Sequence, residues 1–177
     1  MTGAAGTEGS GGPEGSPAKE APPGLRLRPM RREDIPAVAA IERLSFSLPW
    51  SEAAFRRELE EVSHSHLLIV EGPPLQEGGG GAVLGYACWW EVTEECHITD
   101  FAVAPAARRR GIGEFLLQGL LEEARKRGMV RATLEVRIGN EAAIGLYEKW
   151  GFKSIAMRRR YYPDNDEDAL VMWKESL

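Results

Sequence analysis

The sequence predicts an α/β fold in a single domain, and three observations lead to that prediction. Strand-like and helix-like segments follow one another in the order β-α-α-β-β-β-α-β-α-β-β between residues 24 and 177. The β-α-β unit in the middle of this order needs a crossover connection, which makes its two strands parallel and links them right-handedly. A chain of 177 residues suits one domain with a substantial core.

The first residues differ in composition from the rest of the chain. Residues 1–23 are mainly Gly, Ala, Pro, Ser and Glu, with almost no apolar content. Such a segment cannot bury enough surface to offset its ordering entropy, so we expect a disordered tail at 1–23 and a folded domain at 24–177. The tail also lacks the charged start and apolar run of a secretory signal. Together with Cys88 and Cys96, which we interpret as reduced, half-buried thiols, this favours a cytoplasmic protein.

A strand and two helices open the domain. Residues 25–28 alternate apolar and polar side chains, which predicts a strand. The first helix begins near Pro36, because proline is tolerated in a first turn. Ser51 is placed to cap the second helix. We expect the buried faces of these helices to carry Val38, Ile41, Leu44, Phe55, Leu59 and Val62.

Three strands and a long connection follow. The predicted strands cover residues 67–70, 83–91 and 96–104, and the glycine-rich and proline-containing stretch 72–81 reads as a flexible hairpin loop.

The second half alternates helices and strands. Residues 113–127 predict a helix with a leucine-rich buried face, which Gly128 ends. The remaining elements are a strand at 132–137, a helix at 141–150, and a closing strand pair at 152–158 and 169–174.

The connection between the third of these strands and the leucine-rich helix has the composition of an anion-binding loop. The strand ends at Pro105, three arginines follow at 108–110, and Gly111 and Gly113 open the helix. Free N–H groups at a helix start carry partial positive charge, and glycine lets the backbone approach a phosphate closely. No Lys-Ser/Thr follows the second glycine and no GxGxxG spacing is present, which argues against a P-loop and a dinucleotide site. An ordinary strand-helix turn is the alternative.

Two motifs together resemble the GNAT superfamily of acetyltransferases. Arg108-x-x-Gly111-x-Gly113 after a Val-x-Pro strand end is similar to its pyrophosphate-binding signature, and Asn140 followed by a helix ending in Leu-Tyr147-x-x-x-Gly-Phe152 resembles its second signature. The resemblance implies a central mixed, twisted sheet flanked by helices, with acetyl-CoA as acetyl donor. By the same resemblance, the residues that contact acetyl-CoA are Phe101, Ala102, Val103, Arg108, Arg109, Arg110, Gly111, Ile112, Gly113, Glu114, Asn140 and Tyr147.

Acetyl transfer to an amine needs a base for the amine and benefits from an acid for the departing thiolate. Neutralising an α-amine of pKa ~7.8 at pH 7 costs about 1 kcal/mol, whereas a lysine of pKa ~10.4 costs about 5 kcal/mol. Glu135 projects from its strand on the side opposite Leu134 and Val136, and the resemblance makes it the base and Tyr147 the acid. The alternatives are a glutamate paired with a neighbouring basic residue and a tyrosine packed on Phe152.

Three further segments resemble bacterial ribosomal-protein-alanine N-acetyltransferases of the RimI type. These are residues 46–52, with Phe, Pro-Trp and Ser-Glu, residues 134–140, with Leu-Glu-Val-Arg and Asn, and the Arg-Tyr-Tyr and Glu-Asp-Ala pattern of residues 158–169. The resemblance implies that Trp50, Tyr161 and Tyr162 line the groove for the substrate's N-terminal residues. It also implies that the acceptor is the N-terminal alanine of a small-subunit ribosomal protein.

Other functions remain open or are disfavoured. A GNAT enzyme for a protein lysine or a small-molecule amine, and a non-catalytic acyl-CoA sensor, are the alternatives. A net charge of −5 without a long basic stripe argues against direct nucleic-acid binding. No stretch approaches the roughly 20 apolar residues that span a bilayer. The histidines have no partners at ligand spacing, so we expect no metal site.

Overall fold

The computed structural model describes residues 23–74 and 81–177. The predicted tail at 1–23 lies outside the described residues except for Pro23, and so does most of the predicted loop at 72–81. The order of elements confirms the predicted one. In chain order they are β1 (Arg26–Pro29), α1 (Ile35–Ser45), α2 (Glu52–Glu60), β2 (Ser65–Pro74), β3 (Gly81–Val92), β4 (Glu95–Val103), α3 (Ile112–Lys126), β5 (Arg131–Arg137), α4 (Glu141–Lys149), β6 (Lys153–Tyr162) and β7 (Glu167–Lys174).

These strands form one mixed sheet of seven strands, in the order β1-β2-β3-β4-β5-β7-β6. β4 and β5 run parallel because α3 carries the chain back across the sheet between them. All the other neighbouring strand pairs are antiparallel. The predicted α/β class and the mixed sheet flanked by helices are therefore confirmed.

The helices cover opposite faces of the sheet. α1 and α2 bury one apolar cluster against β2 and β3, in which Phe55 meets Tyr86 edge to face at 5.4 Å between ring centroids. α3 and α4 bury the other cluster, and the leucines of α3 lie at its centre as their 3- and 4-residue spacing predicts. Ser51 caps α2 by accepting a hydrogen bond from the Ala54 N–H at 3.2 Å, which confirms the predicted cap.

A β-bulge at Thr99 decides where the sheet opens. Cys88 of β3 pairs with Asp100 and the next residue pairs with Ile98, so Thr99 is the extra residue on β4. The bulge reverses the alternation of side chains, because Ile98 packs in the α3 cluster whereas Ala102 packs in the α1 cluster. β4 pairs with β5 only as far as Ile98 and Leu134. Beyond that pair the two strands diverge, and this gap is the base of the cleft described below.

Some local expectations were wrong. Leu44 is 71% exposed, because the buried face of α1 continues through Glu42 instead. The sixth strand is longer than the predicted 152–158, because Tyr161 and Tyr162 both belong to β6, whose pairing with β7 extends to Tyr162 and Glu167. β2 continues to Pro74, so Gly72 is part of a strand. Among the described residues, no helix combines the length and apolar content that crossing a bilayer requires.

Candidate active site

The divergence of β4 and β5 opens a cleft of about 600 Å³. Its walls come from four parts of the chain, namely the α1–α2 connection, the splayed strands, α4, and the β6–β7 hairpin. Glu135 and Tyr147 both line this cleft. The side chains most relevant to function along it are Glu42, Ser47, Trp50, Thr99, Asp100, Phe101, Glu135, Arg137, Asn140, Tyr147, Tyr162, Asp164 and Glu167.

Glu135 is a paired carboxylate at this cleft. One oxygen lies 3.0 Å from His97 Nε2, and the other lies 3.2 Å from a guanidinium nitrogen of Arg158. The hydrogen bond with His97 lowers the pKa of Glu135 below its usual value, and the positive charge of Arg158 acts in the same direction. The pairing with basic neighbours that the alternative interpretation foresaw is thus present, while the carboxylate also faces the cleft. Glu135 is ionised at neutral pH.

Tyr147 is a buried phenol that lines the same cleft. Its ring packs between Phe101, at 6.2 Å between centroids, and Phe152, at 5.6 Å. Burial raises the pKa of the hydroxyl well above its usual value, so Tyr147 keeps its proton at neutral pH. A neutral phenol beside the cleft has a proton to donate.

A third group of titratable side chains was missed in the sequence analysis. The Tyr86 hydroxyl donates a hydrogen bond to Glu42, and its oxygen lies 3.1 Å from Asp100 Oδ2. A phenol has one hydrogen to donate, so the second carboxyl can bond to it only by carrying a proton of its own. Burial, and then the charge of Glu42, raises the pKa of Asp100 to about 8. One signal was available, since Glu42 lies four residues after Val38 and therefore on the buried face of α1.

The free energy of unfolding should depend on pH through the proton that Asp100 carries. In the folded chain Asp100 keeps its proton up to about pH 8, whereas in the unfolded chain it releases the proton above its ordinary pKa of ~3.9. The contribution of this proton to the free energy of unfolding is therefore complete below the unfolded pKa and is lost as pH rises through about 8. We expect the free energy of unfolding to fall by about 1 kcal/mol for each pH unit between pH 6 and 8 relative to Asp100→Asn. Denaturant unfolding of both proteins at several pH values tests this, and parallel curves would contradict it.

Of the three aromatic residues predicted for the substrate groove, Trp50 and Tyr162 line the cleft. Trp50 lines the cleft, packs on Phe55 at 5.4 Å, and is held by its backbone N–H, which donates to Glu42 Oε1 at 2.8 Å. Tyr162 also lines the cleft, and Arg137 stacks on its ring. Tyr161 is 42% exposed and is not among the described residues that line the cleft, although its ring centroid lies 5.1 Å from that of Tyr162.

The predicted anion-binding loop leads into the N-terminus of α3. Arg109 and Gly111 have left-handed backbone angles, φ 62° and 78°, the turn geometry in which successive N–H groups form an anion-binding concavity. Ser51 and Asn140 cap α2 and α4, but within the described chain no side chain caps α3. A Cβ on Gly111 would meet no described atom within 4 Å, so the loop is open to a ligand. These features fit a pyrophosphate.

The remaining predicted contacts differ in what their side chains can do. Arg108 is exposed but bonded within the protein, since its guanidinium donates to the Val103 carbonyl and to Ser45 Oγ, each at 3.0 Å. Arg109 and Arg110 are exposed at the loop as well. The side chains of Ala102 and Ile112 are buried in the core, so only their backbone could contact a ligand. Val103 is partly buried against the α3 cluster, and the ring of Phe101 lines the cleft.

Two polar residues among the predicted contacts have partners within the protein. Glu114 forms an ion pair with Lys149 at 2.7 Å, which offsets its negative charge near the loop. Asn140 caps α4 by accepting a hydrogen bond from the Ala143 N–H at 3.2 Å, and it also lines the cleft. Within residues 23–74 and 81–177, no three His, Cys, Asp or Glu side chains are grouped to hold a metal ion.

Comparison with known proteins agrees with this architecture. The model of the acetyltransferase (GNAT) family matches residues 35–152. A protein of Bacillus subtilis (strain 168) is 39% identical over 147 residues, which cover 83% of this chain and 93% of the relative. The [ribosomal protein bS18]-alanine N-acetyltransferase of Escherichia coli (strain K12) is 37% identical over 141 residues, 78% of this chain and 89% of the relative.

A solved structure extends the similarity to the fold. The crystal structure of the ribosomal-protein-S18-alanine N-acetyltransferase from Escherichia coli superposes with a TM-score of 0.73 at 33% identity, covering 86% of this chain and 95% of the other. The loop before α3, the splayed parallel strands and these matches lead to one assignment. The chain belongs to the acetyltransferase (GNAT) family and is an acetyl-CoA-dependent N-acetyltransferase.

Proposed function

We propose that this enzyme acetylates the N-terminal α-amine of a protein, and that its acceptor is the N-terminal alanine of a ribosomal protein of the bS18 type. One observation supports the reaction above all. An ionised carboxylate, Glu135, and a protonated phenol, Tyr147, line the same cleft between the diverging strands. The acceptor is supported by the similarity to the [ribosomal protein bS18]-alanine N-acetyltransferase of Escherichia coli, which is 37% identical over 78% of this chain.

The acetyl donor belongs at the loop before α3. Acetyl-CoA supplies a thioester whose carbonyl carbon is open to attack by an amine. Arg109, Arg110 and the N–H groups at the start of α3 would hold its pyrophosphate, since an uncapped helix N-terminus and fixed positive charge both favour an anion. Arg108 contributes by fixing the loop to Val103 and to α1, through Ser45.

Glu135 and Tyr147 divide the proton transfers. The neutral amine forms a bond to the carbonyl carbon, and its surplus proton passes to Glu135, directly or through a water molecule. The carbon–sulfur bond breaks, and the Tyr147 hydroxyl donates its proton to the departing sulfur. A base with a lowered pKa suits an α-amine, because neutralising an amine of pKa ~7.8 costs only about 1 kcal/mol at pH 7.

The groove walls favour a short extended peptide. Trp50 and Tyr162 present aromatic surface to the cleft, and aromatic rings bind a peptide backbone without requiring a particular charge. An acceptor on the ribosome would place the enzyme in the cytoplasm.

The test compares two peptides of the same length. One has a free N-terminal alanine, and the other is blocked at its N-terminus and carries an internal lysine. We expect thiol release from acetyl-CoA with the first peptide alone. Turnover on the blocked peptide would transfer the enzyme to the lysine class, and tight binding of acetyl-CoA without turnover on any amine would identify a non-catalytic acyl-CoA sensor.

A further inference from the structure

Arg137 makes an unusual number of contacts at the rim of the cleft. It lies at the end of β5, two residues after Glu135 and on the same face of the sheet. One terminal nitrogen lies 2.9 Å from both carboxylate oxygens of Asp164. The other lies 2.9 Å from Glu167 Oε2 and 3.1 Å from Asn165 Oδ1. Both terminal nitrogens of the Arg137 guanidinium thus form hydrogen bonds with the β6–β7 turn.

The face of the same guanidinium covers an aromatic ring. Its central carbon lies 3.8 Å from the ring centroid of Tyr162, a cation–π distance. Tyr162 lines the cleft, so Arg137 determines where one aromatic wall of the groove stands. Lysine could supply the charge but neither the fork nor the stacked plane.

A second connection joins this turn to the opposite wall. Ser47, in the α1–α2 connection, donates a hydrogen bond to Asp164. Its oxygen is also 3.4 Å from a guanidinium nitrogen of Arg137. The chain segments that carry Trp50 and Tyr162 therefore meet at a single cluster, Arg137–Asp164–Ser47.

An isolated surface ion pair contributes little, but this cluster differs from one. The side chains of Arg137, Asp164 and Glu167 are 23%, 16% and 20% exposed. The second carboxylate oxygen of Glu167 is also held, because Oε1 accepts a hydrogen bond from the Gly139 N–H at 2.9 Å. Several directed bonds on partly buried groups fix a geometry more firmly than one exposed pair.

We propose that Arg137 is a positioning residue for the acceptor peptide, holding the β6–β7 turn and Tyr162 against the α1–α2 connection so that both walls of the groove are preformed. The catalytic part of this inference rests on the proposed function. A preformed groove spares the peptide the cost of ordering its own binding site. Loss of the cluster should therefore weaken peptide binding while the acetyl donor, held at the loop before α3, is bound as before.

The experiment uses the full chain with Arg137→Met, which keeps much of the apolar stem and removes the guanidinium. We expect the peptide KM to rise about tenfold, with kcat and the KM of acetyl-CoA within about twofold of wild type, as loss of uniform binding predicts. Arg137→Lys should recover part of the loss. Asp164→Ala combined with Arg137→Met should cost little more than either change alone, because both remove one cluster.

Arg159→Met is the matched control, since it removes an exposed arginine from the same hairpin. Hydrogen exchange of residues 161–168 is measured in parallel, because it reports the cluster without turnover. Faster exchange in Arg137→Met than in Arg159→Met is expected. The inference is overturned if exchange is unchanged, or if kcat and the KM of acetyl-CoA change while the peptide KM does not. If the wild-type enzyme does not turn over the peptide while exchange is faster in Arg137→Met, the proposed function is rejected but the role of Arg137 in positioning the turn is retained.

Discussion

Glu135→Gln should reduce kcat on a peptide with a free N-terminal alanine by about 10²–10⁴-fold, the usual loss when a positioned base is removed. The amide has the same shape and can still accept a hydrogen bond from Arg158 or His97, so the cleft should keep its geometry. It cannot take up the amine's proton, and this is the step that should slow. Steady-state kinetics with varied peptide and saturating acetyl-CoA measure the change.

The chain offers a close control for this substitution. Glu91 also pairs with a histidine, with 2.9 Å between its carboxylate and His66 Nε2, but it is not among the described residues of the cleft. Glu91→Gln therefore removes a similar carboxylate–histidine contact without touching the proposed chemistry, and kcat should stay within about twofold of wild type. Equal losses in the two variants would show that Glu135 acts through folding, and an unchanged kcat in Glu135→Gln would exclude it as the base.

Tyr147→Phe should reduce kcat by about 10²-fold through loss of the proton donor. The ring contacts with Phe101 and Phe152 do not involve the hydroxyl, so the melting temperature should change little. The loss arises because the thiolate must leave without a proton. It should therefore shrink when the acetyl donor is a thioester of a more acidic thiol, whose thiolate leaves more easily.

That dependence on the leaving group separates the acid from a packing residue. A packing role predicts the same fractional loss of kcat with both donors, together with a lower melting temperature. An unchanged kcat with acetyl-CoA would remove Tyr147 from the mechanism. The comparison needs only the purified variant, the two thioesters and a thermal unfolding curve.

Much of the fold follows from local pattern. The leucine spacing of α3 determines which face it buries, and Ser51 caps α2 as its position predicts. The arginines and glycines at 108–113 come before a helix, so their sequence alone indicates an anion-binding turn. These features depend on residues within one or two helical turns of each other, which is the range over which propensity, periodicity and capping act.

One expectation about a side chain was wrong for a reason that lies outside the local pattern. Leu44 continues the apolar spacing of α1 yet is exposed. The sequence indicates the residue type, whereas the neighbouring element decides which side of the helix is covered. Pattern cannot specify that partner.

The sequence by itself determined the order of elements, the leucine-rich buried face of α3 and the composition of the loop before α3. Only the tertiary structure decided that a bulge at Thr99 separates β4 from β5, that Glu135 is paired with His97 and Arg158, and that Arg137 joins the two walls of the groove. The physical reason is one of range. The strand pairing at Thr99, the contact of Tyr86 with Asp100 and the hydrogen bond of Ser47 to Asp164 join residues that are 9 to 117 positions apart in the chain. Their energies exist only once the sheet has brought these residues together.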